Sequence, residues 1–182
     1  FSNPLATSLL LFTILLYIFI YTFWLKRSTP LNIVIGGAAG AIPPIIGWTA
    51  VSPEIGFLPI SMFLIIFFWT PPHFWALSVY RFNDYANAKV PMLPNVKSIE
   101  DTKKQIFYYT IVLIIFSYFP YVDRNTGLIY VVVATILNIV LLSSSIKLKK
   151  TKEKKSEPNT EGLKFFALSI FYLFSLFSGL LI

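Results

Sequence analysis

The sequence predicts an all-α integral membrane protein. Hydrophobic residues make up 56% of the 182 residues, charged residues only 13%, and the mean hydropathy is +0.72. A soluble domain carries about a quarter charged residues. Six apolar segments each approach the ~20 residues that cross a bilayer as a helix. Because backbone groups in lipid need partners within the chain, and no barrel-type alternation occurs, the spans are expected to be helical.

The six predicted spans form a single transmembrane domain over residues 1–182. Lys and Arg fall almost entirely in alternate loops, fourteen against one, and the exception is Arg124. The positive-inside rule then puts the first, third and fifth loops in the cytoplasm and both chain ends, Phe1 and Ile182, on the outer side. The predicted spans are 4–25, 32–51, 56–80, 106–122, 127–146 and 163–182.

The second span contains two features that affect helix packing. Gly36 and Gly40 form a small-residue face that favours close helix approach. Pro43-Pro44 removes two backbone donors in mid-membrane, so the helix is expected to kink or break there. Such a break serves either packing alone or a cavity wall. Pro71-Pro72 repeats the pattern in the third span, and two kinked helices would open an internal pocket.

The run from Trp69 to Pro94 holds the only His of the chain. If it is one helix, His73, Tyr80 and Asp84 share a stripe that combines an imidazole, a phenol and a carboxylate. The alternative is a helix that ends at the membrane surface with ordinary polar flanks. The absence of Cys excludes thiolate metal sites and disulfides, and a single His excludes a His-cluster metal site.

Polar side chains gather in the first and third loops, on the predicted cytoplasmic side. Cations beside one or two oxygen donors suit a phosphate-bearing ligand with Mg²⁺, and the apolar interior behind them suits a hydrocarbon tail. The Lys-rich fifth loop lacks aromatic residues and is interpreted as a topology-setting connector, with no nucleic-acid partner. The gathered residues are Tyr21, Lys26, Arg27, Asn32, Tyr80, Arg81, Asn83, Asp84, Asn87 and Lys89.

Four motifs in fixed order carry a family resemblance. They are YTFWLKR at 21–27, GAIPPIIGW at 40–48, WTPPHFWAL at 69–77 and DYANAKVPMLP at 84–94. Together they resemble the protoheme IX farnesyltransferase (heme O synthase) family of the intramembrane aromatic prenyltransferase superfamily, and the likeness covers essentially the whole chain.

The resemblance implies a nine-helix bundle around a cavity open to the cytoplasmic side, of which this chain matches the last six helices. It implies transfer of a farnesyl group from farnesyl diphosphate to a vinyl group of heme B, which gives heme O, with Mg²⁺ on the diphosphate. It also implies a bacterial inner membrane, with the mitochondrial inner membrane left open, and a hand-off of product to heme A synthase or terminal oxidase assembly.

The resemblance also assigns roles to individual residues. Asp84 and Asn83 match the second acidic motif and are the expected metal and diphosphate ligands. Lys26 and Arg27, with Tyr21, match the motif that neutralises the leaving diphosphate. The remaining expected substrate-binding residues are Tyr80, Arg81, Lys89 and His73.

The roles of several aromatic residues stay open. His73 either binds the porphyrin, ligates its iron, or bonds a backbone carbonyl freed by Pro71-Pro72. Phe74, Trp75 and Tyr80 either face an allylic cation or serve ordinary packing, which is the more common role.

The chain departs from the superfamily pattern in three places. Ala88 stands where the wider superfamily has a second Asp, and Tyr21 and Lys26 are five apart rather than four. The first acidic motif is not in the chain, so a natural N-terminal part is expected upstream of Phe1, and the 182 residues alone are expected to be inactive. The rival hypotheses are a prenyltransferase with another acceptor, such as a quinone precursor, and a transporter.

Overall fold

The structure of the chain is a computed structural model that describes residues 3–122, 126–152 and 159–181. Phe1, Arg124, Lys154, Lys155 and Ile182 lie outside these ranges. All regular elements within them are helices: α1 (Pro4–Leu15), continued by a π-helix (Leu16–Trp24) and a 3₁₀ turn (Leu25–Arg27), then α2 (Asn32–Ala41), α3 (Pro43–Val51), α4 (Phe57–Tyr80), α5 (Phe82–Asn87), α6 (Leu93–Val96), α7 (Ile99–Ser117), α8 (Phe119–Val122), α9 (Leu128–Lys150) and α10 (Thr160–Gly179).

Six of the described helical stretches are long and apolar enough to cross a membrane, which confirms the predicted fold class. The largest departures from the predicted bounds are at two helix ends. The fourth span begins at Ile99 rather than 106, because Ser98 caps a charged first turn by accepting the Asp101 N–H at 3.0 Å. The fifth span continues to Lys150, since lysines in the last turn complement the helix dipole. The spans are Pro4–Arg27, Asn32–Val51, Phe57–Tyr80, Ile99–Val122, Leu128–Lys150 and Thr160–Gly179.

The core lies where α4, α7, α9 and α10 pack together. Ile65, Leu113, Leu141 and Leu176 are each at most 1% exposed and belong to one apolar cluster. Lipid tails are as apolar as these side chains, so close packing and hydrogen bonds hold such helices together rather than the hydrophobic effect.

The helix break predicted at Pro43-Pro44 is present. α2 ends at Ala41 and α3 begins at Pro43, with Ile42 between them. Gly37 packs so tightly on Thr70 of α4 that an added Cβ would lie 3.0 Å from the Thr70 methyl group. Gly36 faces the Tyr21 ring. A Cβ added at Gly40 would meet no atom of another part of the described structure within 4 Å. The close-approach face is therefore Gly36 and Gly37, not Gly36 and Gly40.

The second proline pair does not break its helix. α4 runs continuously from Phe57 to Tyr80 with Pro71 and Pro72 buried inside it. Two side-chain bonds secure the chain just before the pair: Thr70 Oγ1 donates to the Ile66 carbonyl at 2.7 Å, and Trp69 Nε1 donates to the Ser169 carbonyl of α10 at 2.8 Å. Tertiary packing on α7 and α10 thus maintains the helix where sequence alone predicted a kink.

A buried polar network joins three of the core helices. The Tyr172 hydroxyl donates to Asn138 Oδ1 at 2.8 Å, and Asn138 Nδ2 donates to Ser117 Oγ at 2.9 Å. The Tyr130 hydroxyl donates to the Ser117 carbonyl at 2.6 Å. Asn138 therefore bonds side chains of both neighbouring helices, α7 and α10.

Tyr172→Phe is expected to destabilise the bundle by about 1–3 kcal/mol, because it leaves the buried Asn138 oxygen without its donor. The measurement is thermal unfolding in detergent. The matched control is Tyr121→Phe, since Tyr121 is 47% exposed and its hydroxyl makes no hydrogen bond within the described residues. Equal unfolding temperatures for Tyr172→Phe and the unmodified protein would contradict the network's role.

Candidate functional site

The first predicted site segment is the basic turn, Leu25–Arg27, at the end of the first span. The helix before it widens from α to π over Leu16–Trp24, where backbone bonds run from i to i+5. Tyr21 lies in this π-helical stretch, whereas Lys26 lies in the 3₁₀ turn that follows it. The Tyr21 ring lies against Gly36, where an added Cβ would come within 2.5 Å of a ring carbon.

The basic turn is held in place by Asn32, the first residue of α2. Asn32 is 1% exposed, and its Nδ2 donates to the Lys26 carbonyl at 3.1 Å. The side chains of Lys26 and Arg27 remain exposed. The turn therefore presents two cations from a fixed backbone.

The second predicted site segment is α5, which carries Asn83 and Asp84. α4 ends at Tyr80, and the Arg81 backbone leaves the helical region with ψ 31°. Asp84 is thus on a separate short helix, and the predicted continuous stripe from His73 to Asp84 was wrong. The chain turns where the apolar run gives way to polar residues at the membrane boundary.

Asp84 is paired with Arg81 across one turn. Arg81 Nη1 donates to Asp84 Oδ2 at 3.0 Å, and the two side chains are 58% and 62% exposed. This hydrogen bond to the carboxylate raises the pKa of Arg81. An exposed pair of this kind contributes little to stability, so the carboxylate is accessible to a stronger ligand.

The turn after α5 places Lys89 in a strained conformation. Lys89 has φ 54°, the one positive φ among the described non-glycine residues. The turn is closed by bonds from the Lys89 N–H to the Ala86 carbonyl at 3.1 Å and from the Val90 N–H to the Tyr85 carbonyl at 3.2 Å. Glycine or asparagine is usual at such a position, so a lysine here points to a role for its ammonium group.

The basic turn and α5 each follow an odd-numbered span, because the turn ends the first span and α5 comes after the third. Tyr85 neighbours Asp84, and burial raises the pKa of its phenol. Both segments therefore lie at the end of the bundle that carries the first, third and fifth loops, which we call the basic end.

The donor set suits a cation that arrives with a phosphate. No group of three or more His, Cys, Asp or Glu side chains comes together in the described parts of the chain. Asp84 and Asn83 supply one carboxylate and one amide oxygen, both on exposed side chains. Mg²⁺ is commonly held by one or two carboxylates together with phosphate oxygens and water, so these residues fit one side of such a site.

His73 lies apart from this end, inside the α4–α10 interface. Its ring is 6% exposed and stacks between Trp69 and Phe166, at 4.1 and 4.3 Å between centroids. Nδ1 is 2.7 Å from Ser169 Oγ, and that hydroxyl donates to the Phe166 carbonyl. Nε2 has no hydrogen-bond partner among the described residues.

The observed partner of His73 was not predictable from local sequence. Ser169 is 96 residues away in an otherwise apolar helix, and no spacing pattern connects the two. The suggested bond to a carbonyl freed by Pro71-Pro72 was wrong.

The aromatic residues near His73 have different surroundings. Trp75 is 2% exposed and meets Tyr109 edge-on at 5.2 Å between ring centroids, which is interior packing. Phe74 is 37% exposed and lies edge-on to His73. The Arg81 guanidinium lies 5.7 Å from the Tyr80 ring centroid.

Fold and site together define a polytopic α-helical membrane protein with cationic and carboxylate groups gathered at one end. The chain belongs to the UbiA prenyltransferase family, whose sequence model matches residues 1–175.

Three curated relatives illustrate the similarity, and each is named protoheme IX farnesyltransferase. The Pelagibacter ubique protein is 49% identical over 97% of this chain and 58% of its own length. The Bradyrhizobium diazoefficiens protein is 49% identical over 98% of this chain and 57% of its own length. The Alcanivorax borkumensis protein is 48% identical over 99% of this chain and 58% of its own length. The chain thus spans less than three-fifths of these relatives. The search of solved structures gave no match.

Lys89→Gly is expected to stabilise the protein by about 1 kcal/mol, because glycine adopts a positive φ without steric cost. Thermal unfolding in detergent measures the change. Lys97→Gly serves as the matched control, since Lys97 is exposed in the same loop but has φ −99°. A Lys89→Gly variant less stable than the control would show that the turn carries no strain.

Proposed function

We propose that this chain forms part of a Mg²⁺-dependent prenyltransferase that moves a farnesyl group from farnesyl diphosphate to a vinyl carbon of heme B, giving heme O. The main support is the 49% identity over 97% of the chain to a protein named protoheme IX farnesyltransferase. The position of the basic turn and α5 at the same end of the bundle is a second support, since cations and a carboxylate at one end suit a diphosphate with its metal.

The reaction begins with loss of the diphosphate. The allylic C–O bond breaks, and its electron pair leaves with the diphosphate oxygen. Lys26 and Arg27 stabilise that leaving charge from exposed positions on a backbone fixed by Asn32. Mg²⁺, when bound to Asp84, Asn83 and the phosphates, adds charge neutralisation at the same oxygens. Lys89 and Arg81 are further cations for the phosphate oxygens.

The allylic cation is then attacked by the electron-rich vinyl carbon of heme B, which forms the new C–C bond. Water adds to the resulting cation next to the porphyrin, and loss of one proton leaves the hydroxyethyl group. The aromatic interior of the bundle keeps water from the allylic cation until the C–C bond has formed. Phe74 and Tyr80 are the aromatic candidates, because Trp75 is enclosed in packing.

We propose that heme B, the prenyl acceptor, binds on the α4–α10 side of the bundle. His73 is held by Ser169 through Nδ1, so Nε2 is the ring nitrogen available to a haem iron or to a hydrogen bond with a porphyrin substituent. A bacterial cell membrane is the proposed location, since the relatives are bacterial. The farnesylated product is poorly soluble in water, which favours hand-off within the bilayer to heme A synthase or terminal oxidase assembly.

Membranes containing the full-length protein are expected to convert heme B and farnesyl diphosphate to heme O when Mg²⁺ is present, and to stop when the metal is chelated. Chromatography of extracted haem detects the product by its added farnesyl group. Membranes with an active relative are the positive control. A negative result beside that control contradicts the proposed function, and prenylation of an added quinone precursor instead would move the activity to the other acceptor class.

Asp84→Ala in the full-length protein is expected to lower turnover by at least about 100-fold, because it removes the carboxylate that would hold the metal. Asp101→Ala is the matched control, because Asp101 forms an equally exposed i,i+3 ion pair with Lys104, also at 3.0 Å. Initial rates are compared at equal protein content in membranes. Near-normal turnover of Asp84→Ala would place the metal elsewhere.

A further inference from the structure

We infer that Asn32 and Asn95 are positioning residues that fix the two halves of the diphosphate site, an inference that rests on the proposed function. Neither residue is a candidate metal or phosphate ligand. Each instead holds the backbone of a segment that carries such ligands.

Asn32 acts on the basic turn. Its Nδ2 donates to the Lys26 carbonyl, which belongs to the peptide bond between Lys26 and Arg27. Six residues separate the two groups, so the bond closes the loop between the first two spans. The backbone that presents both cations is therefore fixed by one side-chain amide.

Asn95 makes the equivalent contact on the other side. It lies in α6, directly after the buried residues Leu93 and Pro94. Its Nδ2 donates to the Phe82 carbonyl at 3.3 Å, across 13 residues. Phe82 immediately precedes Asn83 and Asp84, so this amide fixes the start of the helix that carries the carboxylate.

Both amides leave their oxygens unpaired. Asn32 Oδ1 and Asn95 Oδ1 are enclosed and have no hydrogen-bond partner within the described structure. An unpaired buried acceptor costs about 1–3 kcal/mol. Asn138, in the middle of the bundle, has partners for both its amide atoms. The difference shows that asparagine was not placed at 32 and 95 for stability alone.

The unpaired atoms gather at one end of the molecule. Asn32 begins α2, Asn95 is in the third loop, and the remaining enclosed unpaired atom of the described chain, Trp75 Nε1, lies five residues before the end of α4. All three therefore lie toward the basic end.

An uncharged amide is required at both positions. A carboxylate at position 32 would attract Lys26 and Arg27 and compete with the phosphate oxygens for them. It would also lack the N–H that holds the Lys26 carbonyl. Asn32→Asp is therefore expected to weaken diphosphate binding more than Asn32→Ala does.

The test uses the full-length protein in lipid nanodiscs. Asn32→Ala and Asn95→Ala are each expected to raise KM for farnesyl diphosphate about tenfold while KM for heme B stays within about twofold. The second readout is calorimetric affinity for magnesium pyrophosphate, which has no prenyl chain and needs no turnover, and this affinity is expected to fall by the same factor. Asn138→Ala is the control, because loss of that buried asparagine lowers thermal stability without changing pyrophosphate affinity.

The outcomes separate this inference from the proposed function. If the unmodified protein binds magnesium pyrophosphate and makes heme O but both alanine variants bind the probe as tightly, the asparagines are not positioning residues and the proposed function stands. If the unmodified protein neither binds the probe nor makes heme O, the proposed function fails and the inference with it. Where an alanine variant does not fold, the serine variant at that position is measured against the same criteria.

Discussion

The rest of the structure depends on one constraint, that a polar group inside the bilayer must find its partner within the protein. The interior meets this demand in two ways. Buried hydroxyls such as Thr49 and Thr110 bond carbonyls one turn back on their own helices. Between helices, the Tyr172–Asn138–Ser117 network and the His73–Ser169 bond leave the polar groups of the middle of the bundle paired. The basic end differs, because enclosed amide oxygens remain unpaired there.

The helices that support the candidate site are therefore distinct from the short elements that carry its ligands. The α4, α7, α9 and α10 core combines an apolar cluster with a hydrogen-bonded polar network, so it provides a rigid frame. Ligand candidates lie on short elements at the edge of that frame, namely the turn Leu25–Arg27 and the helix Phe82–Asn87. Short elements have few backbone bonds of their own, so single side chains decide their position. That dependence accounts for the asparagine amides that hold both elements and for the strained Lys89 in the turn after Phe82–Asn87.

Apolar length and charge placement predicted the six spans, and the four motifs predicted the family. Features set by tertiary contact were not predictable. The second proline pair lies inside one continuous helix that packs on α7 and α10, whereas the pair at 43–44 begins a new helix. The hydrogen-bond partner of His73 lies 96 residues away along the chain. The bond from Asn95 to the Phe82 carbonyl was not predictable either, because it depends on how the third loop turns. The roles of individual ligands stay predictions.

The π-helical stretch Leu16–Trp24 has a consequence for comparing sequences. One additional residue in an α-helix rotates everything beyond it by about 100°. A wider helical turn absorbs that rotation, so Gly36 and Asn32 still face Tyr21 and the basic loop despite the longer tyrosine-to-lysine spacing. A single additional residue can therefore be accommodated inside a membrane span as well as in a loop. The residues on either side of such a widened turn then keep the faces that they would have without it.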